Sequence, residues 1–220
     1  MNKALKIVFP LIAVVIAAVI VWRLPMNGWG SLVWLAGAIA MGVIRKPHER
    51  INKENEITES RQTTVENVLL TAVSIGSALL PILCLTLGLF RFADYNSLPT
   101  WATAGGVVLL VVGLWLFWRS HADLGRNWSV TLEIRESHDL VTSGVYERIR
   151  HPMYSAIFLI VMAQTLLLHN WIAGFSGIVA FGLMYVIRVP REEAMMREYF
   201  GEKYDAYCQN TGRVYPKLIR

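Results

Sequence analysis

The sequence predicts an all-α integral membrane protein with about six transmembrane helices. Of its 220 residues, 55% are hydrophobic and 17% are charged, whereas soluble domains average about 25% charged residues. The mean hydropathy is +0.43. A transmembrane helix needs roughly 20 mostly apolar residues, and the chain contains six apolar segments that are candidates for such helices.

The six predicted spans are residues 4–22, 28–44, 65–90, 98–118, 155–168 and 171–187. The first has the basic start and apolar core of a signal peptide, but no convincing small-residue cleavage site follows it, so we expect a retained helix. The last two form one apolar run that is broken at His169 and Asn170. Because this run is too long for a single untilted span, it predicts a helical hairpin over residues 155–187.

Basic residues are distributed unevenly between the predicted loops. If the N-terminus is cytoplasmic, 19 of the 21 Lys and Arg residues fall in cytoplasmic segments, and only Arg23 and Arg91 fall outside. Lys and Arg in short loops are retained on the cytoplasmic side. We therefore expect a multi-pass protein with both termini in the cytoplasm. This topology and contacts with anionic membrane lipids account for the net charge of +5 without a nucleic-acid partner.

Polar side chains are concentrated in the C-terminal half of the chain. This divides it into an N-terminal membrane part, 1–118, with about four spans, and a C-terminal region, 119–220, where function is expected. Residues 130–134 alternate as in an extended strip, whereas residues 45–64 are expected to form a solvated connector. Pro190 predicts a helix start with Glu192 and Glu193 in its first turn. Gly201 predicts a break before a short amphipathic helix.

Each of these features also has an explanation without chemistry. Arg150 and His151 are typical of interfacial anchors beside a helix that begins at Pro152. Acids in a first turn match the helix dipole, and Arg188 lies four residues before Glu192, which is the spacing of an ordinary ion pair. The five histidines show no paired metal-ligand spacing, so no metal is predicted. The two cysteines are predicted to be free thiols.

Taken together, the C-terminal motifs resemble the isoprenylcysteine carboxyl methyltransferase family of integral membrane enzymes. The resemblance covers about residues 119–217 and is strongest with the prokaryotic members, which also share the DLG-NWS and IRVP-EE runs. One departure is Ala156, where many relatives have glycine. The motifs, in order, are Gly144-Val145-Tyr146, Arg150-His151-Pro152-Met153-Tyr154, Glu192-Glu193 and Phe200-Gly201-Glu202-Lys203-Tyr204.

The resemblance implies transfer of a methyl group from S-adenosylmethionine to the C-terminal carboxylate of a prenylated cysteine that enters from the bilayer, with S-adenosylhomocysteine as product. It implies catalytic roles for Arg188 and Glu192, with Arg188 also holding the acceptor. It also implies location in the cytoplasmic membrane of a prokaryote. The implied cofactor-binding residues are His138, Asp139, Leu140, Val141, Tyr146, His151, Pro152, Met153, Tyr154 and Glu192.

Other functions remain open at this stage. A phospholipid (phosphatidylethanolamine) N-methyltransferase has similar R-H-P-x-Y and E-E motifs, and an NADPH-dependent membrane reductase is a more distant alternative. The chain lacks a Gly-rich dinucleotide fingerprint. A transporter or scaffold is disfavoured, because no ionisable residue lies in the middle of a predicted span.

Overall fold

The computed structural model describes residues 3–54, 57–60, 63–95, 98–129, 133–135 and 139–217, and this part of the chain is predominantly helical. The principal helices are α1 (Lys3–Trp22), α2 (Leu24–Asn27), α3 (Gly30–Glu54), α4 (Thr64–Ser74), α5 (Leu80–Leu87), α6 (Thr100–Leu124), α7 (Pro152–Leu167), α8 (Trp171–Phe200) and α9 (Glu202–Asn210). The predicted all-helical class is therefore confirmed, with one small sheet in addition.

The sheet has two antiparallel strands, β1 (Ile57–Ser60) and β2 (Glu133–Arg135). Strand β2 overlaps the predicted extended strip at residues 133–134, while residues 130–132 lie outside the described part of the chain. Strand β1 falls in the segment that we expected to be a solvated connector. No local pattern indicates this pairing, because the two strands are far apart along the chain.

Within the described residues, three helices are long and apolar enough to cross a membrane: Thr64–Leu87, Thr100–Leu124 and Trp171–Phe200. Shorter apolar helices cover Pro10–Trp22 and Pro152–Leu167. Each overlaps a predicted span, and α3 overlaps the remaining one. Large apolar side chains are exposed along these helices, as expected for a surface that faces lipid. The protein is thus an integral multi-pass membrane protein, and the number six stays a prediction.

A π-helical turn, Ile75–Leu79, joins α4 to α5 in one continuous helix. Such turns leave main-chain groups available for other partners. The Gly76 carbonyl accepts hydrogen bonds from Gln164 Nε2 of α7 at 3.1 Å and from Ser176 Oγ of α8 at 2.6 Å. These bonds fix α4 against the hairpin.

The hairpin of α7 and α8 turns at residues 168–170, as predicted. Asn170 caps α8, because its side chain accepts a hydrogen bond from the Ala173 N–H at 2.9 Å. The same side chain donates to Asp94 Oδ1 at 2.7 Å and to the Phe90 carbonyl at 2.9 Å. The break that divides the apolar run is therefore a capped turn tied to the loop after α5.

The predicted helix start at Pro190 is wrong. Helix α8 runs without a break from Trp171 to Phe200, with Pro190 inside it. Proline removes one main-chain hydrogen bond, and tertiary packing tolerates this loss here: Val189 and Glu193 on either side are buried. Glu192 and Glu193 are consequently far from the first turn of α8, and the helix dipole does not explain them. The break at Gly201, with φ 55°, is confirmed.

Candidate functional site

One cavity, of about 310 Å³, lies between α4, α7, α8 and α9 and the segments that follow α6. Along α8 its lining extends from Phe181 to Met196, a distance of about 22 Å at 1.5 Å per residue. Its apolar part is lined by Leu70, Val73, Ile157, Phe181 and Met184. Its polar part includes Asp139, Tyr146, Arg150, His151, Arg188, Glu192, Tyr204 and Tyr207. A single cavity thus combines an apolar wall with a polar one.

Nine of the eleven predicted site residues line this cavity. They are Asp139, Leu140, Val141, Tyr146, His151, Met153, Tyr154, Arg188 and Glu192. Pro152 is buried at the first position of α7 and does not line the cavity. His138 lies outside the described residues. The structure therefore brings together side chains from four separate stretches of the sequence.

The Arg150–Tyr154 motif is held in place by the C-terminal tail. The Arg150 N–H donates to the Gly212 carbonyl at 2.8 Å, and the His151 N–H donates to the Arg213 carbonyl at 2.9 Å. Pro152 then begins α7, where its missing N–H costs no helical hydrogen bond. The tail thus fixes the main chain at the point where the motif enters the helix.

Glu193 joins the motif and the tail through its buried carboxylate. Its Oε1 lies 3.3 Å from Arg150 Nε and 3.2 Å from His151 Nε2, and its Oε2 lies 2.7 Å from Arg213 Nη2. Glu193 is absent from the cavity lining. It therefore positions Arg150 and His151, whose side chains do line the cavity.

Glu192, in contrast, faces the cavity. Tyr154 Oη donates a hydrogen bond to Glu192 Oε2 at 2.7 Å. Arg188 Nε lies 3.9 Å from the same oxygen, so the predicted pair four residues apart is present but long. Arg188 Nη1 lies 3.3 Å from Glu66 Oε1, and both residues are buried. Arg188 is therefore placed between two carboxylates.

Glu66 is a site residue that the sequence did not indicate. It is the third residue after Thr63, whose hydroxyl accepts from the Glu66 N–H at 3.2 Å. A T-x-x-E pattern of this kind is typical of a helix capping box. The capping pattern explains Glu66 locally, so the sequence does not indicate its contact with Arg188, which is 122 positions further along the chain.

Three tyrosines on the polar wall remain neutral phenols. Burial raises the pKa of Tyr146, Tyr204 and Tyr207 well above the usual value. Tyr207 Oη donates to the Tyr146 carbonyl at 2.6 Å. Tyr204 belongs to the predicted F-G-x-x-Y motif, whereas Tyr207 was not predicted. These residues supply uncharged hydrogen-bonding groups and aromatic surface.

Comparison with known proteins shows a family similarity for part of the chain. Residues 106–198 match the model of the isoprenylcysteine carboxyl methyltransferase (ICMT) family. The match to the family model is therefore confined to less than half of the chain. The match begins in α6 and ends in α8, so it includes Tyr146, the Arg150–Tyr154 motif and Glu192. It does not include α3, α4 or α9.

Individual relatives show the same similarity. The chain is 31% identical over 113 residues to protein-S-isoprenylcysteine O-methyltransferase B of Arabidopsis thaliana, covering 50% of this chain and 57% of that protein. It is 33% identical over 125 residues to the Homo sapiens protein-S-isoprenylcysteine O-methyltransferase, covering 55% and 44%. The chain thus spans about half the length of the curated relatives that it matches.

Proposed function

We propose that the chain is an S-adenosylmethionine-dependent membrane methyltransferase that acts on the carboxylate of a prenylated cysteine or a similar lipophilic acid. One observation carries the proposal: a single cavity joins the polar residues of the family motifs to an apolar wall on α4, α7 and α8. Relatives of the matched part are named protein-S-isoprenylcysteine O-methyltransferases. A water-soluble methyl donor and a lipid-borne acceptor both need to reach such a site.

The residues on the polar wall fit the methyl donor. An ionised Glu192 is suited to accept hydrogen bonds from an ammonium group or from ribose hydroxyls. Leu140, Met153 and Trp128 offer apolar and aromatic surface for a purine ring. We assign the donor to the cavity-lining residues Asp139, Leu140, Val141, Tyr146, His151, Met153, Tyr154 and Glu192. The contributions of Pro152, which lies outside the lining, and of His138 stay predictions.

The apolar wall fits the tail of the acceptor. Val73 of α4, Ile157 of α7 and Phe181 of α8 line this part of the cavity. Each methylene that leaves water contributes about 0.8 kcal/mol, so a prenyl chain would be held mainly here. We assign the acceptor carboxylate to Arg188. Its guanidinium belongs to α8, between Phe181 of the apolar wall and Glu192 of the polar wall.

The reaction needs little acid or base chemistry from the protein. When bound, S-adenosylmethionine supplies a methyl group on a sulfonium leaving group. The α-carboxyl group of a free acceptor has a pKa of about 3.5 and is ionised at neutral pH, so no side chain has to remove a proton. The tasks of the protein are to orient the two ligands and to exclude water. Tyr154 supports the first task by fixing Glu192.

We also propose the finer organisation that the basic residues predict. The chain would cross the membrane six times, with both termini in the cytoplasm, and the cavity would open at the cytoplasmic surface. Residues 1–118 would form the N-terminal membrane part, and residues 119–220 the methyltransferase region. The assignment to a prokaryotic cytoplasmic membrane stays a prediction.

A transfer assay in proteoliposomes tests the proposed function. Purified protein is given S-adenosylmethionine with a labelled methyl group and either an S-farnesylcysteine analogue or phosphatidylethanolamine. We expect label in the farnesylcysteine fraction as an ester that base hydrolyses. Label in the lipid amine would instead support a phospholipid N-methyltransferase. Absence of transfer and of S-adenosylhomocysteine binding, together with NADPH oxidation, would support the reductase.

A further inference from the structure

A third arginine, besides Arg150 and Arg188, reaches the cavity from the N-terminal part of the chain. Arg45 lies in α3, and its side chain is part of the cavity lining. Helix α3 is outside residues 106–198, the part that matches the family model. Neither the predicted motifs nor the comparisons with other proteins assign a role to this residue.

The Arg45 guanidinium rests on two buried aromatic rings. Its Cζ atom lies 5.8 Å from the ring centroid of Phe117 and 5.7 Å from that of Trp128. Trp128 Nε1 in turn donates to Met153 Sδ at 3.3 Å, which connects this platform to the Arg150–Tyr154 motif. Cation–π contacts with rings this deeply buried hold the position of the cation. Arg45 is therefore a fixed charge at the edge of the site.

This charge has no anionic partner in the described part of the chain. Arg45 makes no salt bridge with the described carboxylates, and its buried Nε has no hydrogen-bond acceptor. Glu49, one turn further along α3, attracts the Arg45 charge from a distance without forming a salt bridge. Arg188 is close enough to repel that charge. Because a partly buried cation without a partner is costly, the arrangement favours an anion that arrives with a ligand.

Arg45 and Arg188, which both line the cavity, differ in what already surrounds them. Arg188 lies between Glu66 and Glu192, so much of its charge is compensated within the protein. Arg45 has no such compensation. The proposed function, on which this inference rests, brings two ligand carboxylates into the cavity: that of the amino-acid part of the methyl donor and that of the acceptor.

We propose that Arg45 binds one of these ligand carboxylates through its guanidinium. Its planar fork of donors matches a carboxylate in geometry as well as in charge. The N-terminal helices would then form part of the binding site in addition to anchoring the protein in the membrane. Two pairs of ligands, each differing by the presence of a free carboxylate, identify which carboxylate it is.

The experiment measures binding to wild type, Arg45→Ala and Arg45→Met. One arm compares S-adenosylhomocysteine with its decarboxylated analogue by calorimetry. The other compares S-farnesylcysteine with its methyl ester by competition. Arg45→Met keeps an unbranched side chain on the aromatic platform, and thermal unfolding checks that each variant is folded. Lys46→Ala is the matched control, because it removes an exposed basic residue from the same helix.

In one of the two arms we expect both Arg45 variants to bind the free acid about 10- to 100-fold more weakly, the range for a lost charged hydrogen bond. The ligand without the carboxylate should change by less than about twofold, and Lys46→Ala should resemble wild type. Equal losses for both members of each pair, or no loss in either arm, would overturn the inference. A wild-type protein that binds none of the four ligands would overturn the proposed function and this inference with it.

Discussion

Glu192 and Glu193 are adjacent in α8, yet the structure predicts different consequences when each is replaced by alanine. Glu193 is buried and contacts Arg150, His151 and Arg213, away from the cavity. Glu192 lines the cavity and accepts one hydrogen bond from Tyr154. We expect Glu193→Ala mainly to destabilise the protein and Glu192→Ala mainly to weaken cofactor binding.

The magnitude follows from the partners that each substitution leaves behind. Without Glu193, Arg150, whose side chain is only 11% exposed, loses its carboxylate partner, and His151, 6% exposed, keeps only a contact of 3.7 Å with Glu192. Breaking a buried ion pair from one side costs about 3–5 kcal/mol. Arg213 adds little, because its side chain is 47% exposed. Loss of the Tyr154–Glu192 hydrogen bond should cost only about 1–2 kcal/mol.

Thermal unfolding in detergent, together with calorimetric binding of S-adenosylhomocysteine, measures both effects. For a chain of this size, 1 kcal/mol corresponds to a shift in Tm of about 2–4 °C. Glu193→Ala should therefore lower the Tm by about 6–20 °C, and Glu192→Ala by no more than about 8 °C. The reasoning would be refuted if the two variants had the same Tm, or if Glu193→Ala remained as stable as wild type.

Three further outcomes are expected. Tyr154→Phe removes the 2.7 Å hydrogen bond to Glu192. This variant should bind S-adenosylhomocysteine about tenfold more weakly in calorimetry. Unchanged affinity would count against Glu192 as a ligand of the cofactor. Arg188→Lys keeps a positive charge but loses the planar fork of donors. Turnover of a farnesylcysteine analogue should therefore fall roughly 30- to 1,000-fold, while the affinity for S-adenosylhomocysteine changes little. Near-normal turnover would show that Arg188 supplies only a positive charge. In a variant without native cysteines, single cysteines at Asn55 and Asn210 should react with an impermeant reagent from the same side of the membrane, and labelling from opposite sides would contradict the topology.

The parts of the fold that were predictable have local signals in the sequence. Asn170 caps α8, Pro152 begins α7 and Gly201 ends α8 with a positive φ, and each is the residue type that its position demands. Pro190 shows the limit of such signals. Proline is typical of a helix start, but the burial of its neighbours keeps α8 continuous.

The same limit applies to the site. Nine residues could be placed in the cavity because the family resemblance covers their part of the sequence. Arg45, which lines the cavity, and Glu66, which contacts Arg188, could not be placed, since both act through packing between helices that are distant in the sequence. Glu193 was predicted together with Glu192 as one motif. Only the structure separates the acid that faces the cavity from the acid that fixes Arg150 and His151.

The central claim is that one cavity holds both the methyl donor and the tail of the acceptor, and Val73→Trp tests it most directly. Val73 lies on the apolar wall, where an indole would displace part of a prenyl chain. Displacing two methylenes would cost about 1.6 kcal/mol, or roughly 15-fold in the KM for a farnesylcysteine analogue. Val68→Trp on the same helix is the matched control, because Val68 is 62% exposed.

The measurement is the KM for the farnesylcysteine analogue in methyl transfer, with S-adenosylhomocysteine affinity determined on the same samples. The structure predicts that Val73→Trp raises the KM by at least about tenfold and leaves the affinity for S-adenosylhomocysteine within about twofold of wild type. Val68→Trp should resemble wild type in both. An unchanged KM in Val73→Trp, or an equal rise in Val68→Trp, would contradict the assignment of this cavity to the acceptor.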